Sequence, residues 1–228
     1  AGRRYTLSLR QHTPPTPGQP NKKPLPIPVA MALLGPDGGE VAAARLLLTE
    51  AAQDFVFDGI AARPVPSLLR GFSAPVKLTG LAQEQRAFLA AHDSDPFVRW
   101  DSGQAYAADA ILAQIATGAA GLDEGVARAF AATLAGADAD PAFAAEALRL
   151  PSENLLADRM AVVDVDAIHA TRQAWRAALG RRFEGELRAS YHRLSDAGPY
   201  GIDGAAIGRR ALRNACLGYL AAAGDTEL

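Results

Sequence analysis

The chain has 228 residues, of which 49% are apolar and 21% charged, with a net charge of −2 and one cysteine. That composition belongs to a soluble globular protein able to bury roughly 70% of its unfolded surface. It excludes a basic footprint for nucleic acid or an anionic membrane, a disulfide framework and a multi-cysteine zinc site.

Two building materials follow one another along the chain. Residues 1–78 carry nine basic and five acidic side chains and 11 of the 15 prolines; residues 79–228 carry 14 basic and 20 acidic and four prolines. Proline is excluded from helix interiors and tolerated at turns and sheet edges, whereas alanine favours helix. The expected organisation is a β-sandwich domain over residues 1–79 and an α-helical domain over 80–228. The start, AGRRYTLSLR, lacks the apolar core of a secretion signal. No apolar run approaches the ~18 residues of a membrane span.

Arg4–Gln11 alternates, placing Tyr5, Leu7 and Leu9 on one face of a first strand. A proline loop, HTPPTPGQPNKKP, leads to a second strand, Leu25–Leu34, whose prolines suit a sheet edge. GPDGG at 35–39 is a hairpin turn. Further strands are expected over 45–50, 53–58, 68–72 and 75–78, giving an antiparallel sandwich.

Beyond Leu81 the period becomes 3.6. Helices are expected over Leu81–His92, Asp95–Gly118, Asp123–Leu134, Asp140–Leu150, Pro151–Met160, Asp166–Leu194 with a break near Gly180, and Asp203–Ala223. Asp95-Pro96 and Asp140-Pro141 combine a good N-cap with a good first helical residue. Six or seven antiparallel helices with short links predict a HEAT-like superhelical array, although no fixed repeat period is present.

No reactive constellation accompanies these elements. The histidines, His12, His92, His169 and His192, are nowhere closer than 23 residues, so no zinc-binding His-Glu-x-x-His helix exists. Ser73 in GFSAP reads as a turn residue, and Cys216 as buried filler. The acid pairs Asp93/Asp95 and Asp164/Asp166 precede helices, where carboxylates cap free N–H groups. Arg181/Arg182 and Arg209/Arg210/Arg213 suit helix–helix salt bridges or a carboxylate-recognising surface, and Trp100 and Trp175 read as core aromatics. No catalytic, cofactor-binding or metal-ligating residue is expected. A site assembled from His92, Asp93 and Asp101 is the weakest of the alternatives.

Five separated pieces, in order, resemble the bacterial aminopeptidase N family of zinc-dependent alanyl aminopeptidases, which are gluzincin metallopeptidases. They are YTLSLRQHTPPTPGQPNKKPLPIPVAMALL, FVFD at 55–58, PVPSLLRGFSAPVKL at 64–78, DPFVRWDSGQ at 95–104 and RRALRNACLGYL at 209–220. The resemblance implies a fragment: the sandwich, with a further strand preceding Arg4 in the family, and the opening helices of a larger helical domain. It implies that zinc and the catalytic residues of the parent lie in a domain absent here, so this fragment holds no cofactor. The partners implied are the rest of the same polypeptide and, for the parent, peptide substrates. Nucleic acid and membrane are not among them. A cytoplasmic location and self-association of the isolated fragment are also expected. The alternative is a free-standing binding module with a sandwich and a helical scaffold.

Overall fold

The computed structural model describes residues 3–195 and 200–224. The chain's last four residues and Pro199, one of the four later prolines, lie outside the described residues. Two compact units divide the chain, Ala1–Arg99 and Trp100–Leu228.

The first unit holds β1 (Arg3–Arg10), β2 (Ile27–Leu34), β3 (Glu40–Leu48), β4 (Ala52–Ile60) and β5 (Val65–Leu68). All pairings are antiparallel: β1 with β4 in one sheet, and β3-β2-β5 in the other. Alternation decides which side chains face inward. Tyr5 and Leu7 stand opposite Phe57 and Phe55, and they pack with Val29, Met31, Leu33 and Leu68 between the sheets. The sandwich expected from the sequence is present.

Four expectations for this unit are corrected. β2 is not an edge strand; it lies between β3 and β5, and it is buried on both faces. Its prolines are accommodated because β5 pairs only with Met31–Leu34. Beyond the end of β5 the Ser73 hydroxyl takes over, accepting from Ala30 N–H (3.0 Å) and donating to the Pro28 carbonyl (3.2 Å). Residues 70–72 form a short 3-10 turn rather than a strand, and 75–78 form none. β3 starts at Glu40 rather than Arg45, because pairing with Leu33 and Leu34 recruits alanines that carry no strand signal of their own. The GPDGG turn forms as expected, with Gly38 at φ 84° and Gly35 N–H bonded to the Gly39 carbonyl.

The outer face of β2 explains the next elements. Ala32 and Leu34 point away from the sandwich interior and are covered by Leu89 of α1 (Gln83–His92) and Val98 of α2 (Pro96–Thr117), with Phe88 and Phe97 beside them.

The second unit continues α2 and adds α3 (Glu124–Ala135), α4 (Pro141–Ala147), α5 (Glu153–Ala157), α6 (Val165–Arg182), α7 (Glu184–Arg193) and α8 (Gly204–Ala223). α8 packs against α4, α6 and α7, burying Leu212, Cys216, Tyr219 and Leu220 with Trp175, Leu179, Leu187 and Leu148. The helix expected to break near Gly180 runs through it and breaks at Phe183. Gly180 is there for contact: a Cβ at this position would sit 2.2 Å from the Tyr219 carbonyl oxygen on α8. Phe183 leaves helical geometry and stacks on Phe130 at 5.2 Å. No described helix is long and apolar enough to cross a membrane.

Candidate functional site

A polar constellation within the first unit joins the sandwich to the α1–α2 turn. Arg70, at the head of the 3-10 turn, sends one guanidinium nitrogen to Glu40 Oε1 (2.8 Å), Asp93 Oδ1 (3.0 Å) and Ser94 Oγ (2.5 Å). The Ser94 hydroxyl donates to Glu40 at 2.6 Å, and Asp93 Oδ1 also accepts Asp95 N–H at 2.9 Å. Asp95 then spans two elements: Oδ1 caps α2 at Val98 N–H and Oδ2 accepts Gly71 N–H, each at 2.9 Å.

Burial sets the energetics. Asp93 is only 3% exposed, which an ionised carboxylate tolerates only when paired. Burial works against the Arg70 charge, but hydrogen bonds to Glu40 and Asp93 more than offset it and raise its pKa. The Arg70 hydrogen bond, with that of Ser94, holds the Glu40 carboxyl below its usual range. One Arg70 nitrogen carries all three contacts, while its Nε and the second oxygen of Asp93 are buried without a hydrogen-bond partner among the described residues. The cluster joins β3, the 3-10 turn and the α1–α2 turn within the first unit.

The remaining sequence candidates separate. Asp95 and Asp164 cap helices as expected, the latter from Ala167 N–H at 2.9 Å. Asp93 does not cap; it is the buried partner of Arg70. Ser73 completes the β2 ladder. Cys216 is buried, and burial pushes its thiol up to about 11, which leaves it protonated and unreactive at neutral pH. His92 is tilted against Phe88 at 4.7 Å and lies against Gly38, where an added Cβ would meet the His92 Cβ at 2.9 Å. His169 contacts Glu153 at 2.9 Å. His12 and His192 are exposed.

Of the arginines, Arg182 grips Glu124 through two bonds of 2.7 and 3.0 Å. Arg210 and Arg213 lie over the rings of Tyr200 and Tyr191, at 4.4 and 4.3 Å. Trp175 is a core residue whose indole N–H reaches Gln114 at 2.9 Å. Trp100 is not core; it is 38% exposed. Sequence reasoning missed Arg70 and Glu40, because neither lies near its partners in the chain. The residues present do not fit a zinc ion: no three His, Cys, Asp or Glu side chains among the described residues converge on a common point.

Comparisons with known proteins agree with this two-part architecture. One family model, a domain of unknown function described as ARM repeats (DUF3458_C), matches residues 83–228. The chain belongs to that family. A companion domain of unknown function with an Ig-like fold (DUF3458) matches residues 1–80. The chain is 40% identical to aminopeptidase N of Escherichia coli over 98% of its length, covering 27% of that protein. It is 43% identical to aminopeptidase N of Caulobacter vibrioides, covering 85% of this chain and 23% of that one. Among solved structures, Legionella pneumophila aminopeptidase A in complex with aspartic acid superposes with a TM-score of 0.79 at 25% identity, over 97% of this chain and 26% of that one. The resemblance read from the sequence therefore holds along the whole chain, which spans about a quarter of the length of these relatives.

Proposed function

We propose that this chain is a non-catalytic part of a longer zinc-dependent aminopeptidase that removes N-terminal residues from peptides. The sandwich, residues 1–79, acts as a rigid spacer, and the helices from residue 80 help to enclose the active-site chamber. The observation that carries this reading is coverage: nearly all of this chain matches about a quarter of each aminopeptidase. The site geometry supports it, since the polar groups brought together serve caps and loop joints. Zinc, the reacting groups and the contacts to peptide would come from the rest of the polypeptide. Nucleic acid and membrane are not partners in this reading, and the location is cytoplasmic. A helical wall around a metal site serves to keep folded proteins and bulk water away from the reaction.

The test is direct. The purified 228-residue chain should release no chromophore from an alanyl chromogenic substrate and bind no stoichiometric zinc, whereas the product of the complete gene should do both. Chelator-sensitive hydrolysis by the 228-residue chain would refute the proposal. The separated chain should also self-associate in light scattering, because β3 presents an open edge and exposes Val41 and Leu47.

A further inference from the structure

We infer that Phe72 is a docking knob that inserts into an apolar pocket elsewhere in the longer polypeptide. The inference rests on the proposed membership of this chain in such a polypeptide.

The loop after β5 is strained and tightly held. Leu69, Gly71 and Phe72 all have positive φ, at 62°, 60° and 54°. For a bulky side chain that region is an outlier, and it persists only where the surroundings over-determine it. Here they do so on every side. Arg70 is pinned by Glu40, Asp93 and Ser94. Gly71 N–H is held by Asp95, and Ser73 is bonded into the β2 ladder.

Two of the three strained residues have an internal reason. Gly71 has no Cβ to clash. Leu69 is buried in the sandwich core, which offsets its strain. Phe72 has neither excuse. The turn needs a left-handed backbone at 72 to bring Ser73 onto β2, and glycine or asparagine would supply it at little cost. The residue present is a phenylalanine that is 55% exposed, with a single tilted ring contact, to Phe97 at 5.1 Å. Val76 in the same loop is also exposed.

A strained, rigidly fixed aromatic held out in solvent is arranged for contact. A protruding phenyl ring on an immobile loop loses little entropy when it is covered, and aromatic anchors of this kind dominate interface energetics. Arg70, Glu40 and Asp93 beside it are paired with one another, which leaves the ring itself as the contact and an apolar hollow as its complement. Relatives of this chain are about four times its length, which supplies the remaining polypeptide as the occupant.

Phe72→Gly and Phe72→Asn separate the two environments, since both residues suit the left-handed backbone. In the 228-residue chain the melting temperature should stay level or rise. In the complete gene product it should fall by several degrees. Hydroxyl-radical labelling of Phe72 should drop several-fold from the separated chain to the complete product. Equal labelling in both, or a melting shift of the same sign in both, would overturn the docking role and leave the proposed function standing. Protection that grows with concentration in the separated chain would assign the knob to a second copy and overturn the inference. A gene encoding only these 228 residues would remove the proposed function and the inference together.

Discussion

Arg70 and Asp93 illustrate how a single buried pair can hold a fold joint. Both are shielded from water; loss of Arg70 strands the Asp93 carboxylate, and loss of Asp93 removes one of the two acids that offset the burial of Arg70, leaving Glu40. Asp93→Ala should therefore destabilise the first unit by about 3 kcal/mol in urea titration, and the double change Asp93→Ala/Arg70→Met should cost less than the sum of the two single changes. Glu40 adds a pH signature. Its carboxyl is depressed from its ordinary 4.5, chiefly by the Arg70 hydrogen bond. Its contribution is thus fully present above that value and is lost as pH falls below it. The effect should be small, because Glu40 is partly exposed, and should vanish in Glu40→Gln; stability curves between pH 3 and 6 would show it. Cys216 behaves oppositely. Burial raises its thiol to about 11. In native protein at pH 8 it should resist a thiol-reactive disulfide reagent, then react fully once urea unfolds the chain.

The elements are governed by their ends and by close approaches. Asp123 caps α3 through Gly125 and Val126 N–H and also accepts the Tyr106 hydroxyl at 3.0 Å. Five further helices, α2 and α4, α5, α6 and α8, begin with an Asp or Ser cap. Those starts were legible because capping is local chemistry. Gly180 was not. Its sequence neighbours suggest a helix break, since glycine has low helix propensity, yet the helix passes through because α8 lies against it. Gly180→Ala should gain up to ~1 kcal/mol of intrinsic propensity but force Tyr219 and α8 away from α6. The net outcome expected is a loss of about 2 kcal/mol or more, read from thermal melting. A melting temperature at or above that of the parent would show that the two helices can separate without cost.

At the scale of the whole chain, the compact division does not coincide with the change of secondary structure. β5 ends at Leu68 and α1 begins at Gln83, but the first compact unit runs to Arg99. The reason is the second buried face of β2. Ala32 and Leu34 need a cover, and Leu89 and Val98 provide it. Leu89→Ala should cost about 2–5 kcal/mol. It should speed amide exchange in β2 as well as in α1, because the two share one core.

What the sequence by itself determined is what depends on near neighbours. Alternation placed Tyr5, Leu7 and Leu9 inward, Asp-Pro pairs opened α2 and α4, the glycines of GPDGG made the turn, and the spacing of the histidines left no zinc helix. The tertiary structure decided what depends on distant partners. It made β2 central rather than an edge, since β5 pairs with Met31–Leu34 and Ser73, from 43 residues away, extends that ladder to Ala30. It turned Asp93 from a cap into the partner of Arg70, and it moved the helix break from Gly180 to Phe183, whose ring is drawn onto Phe130. Local propensities differ by about 1 kcal/mol or less, whereas burying a strand face or pairing a sequestered charge is worth several, so packing prevails wherever the two disagree.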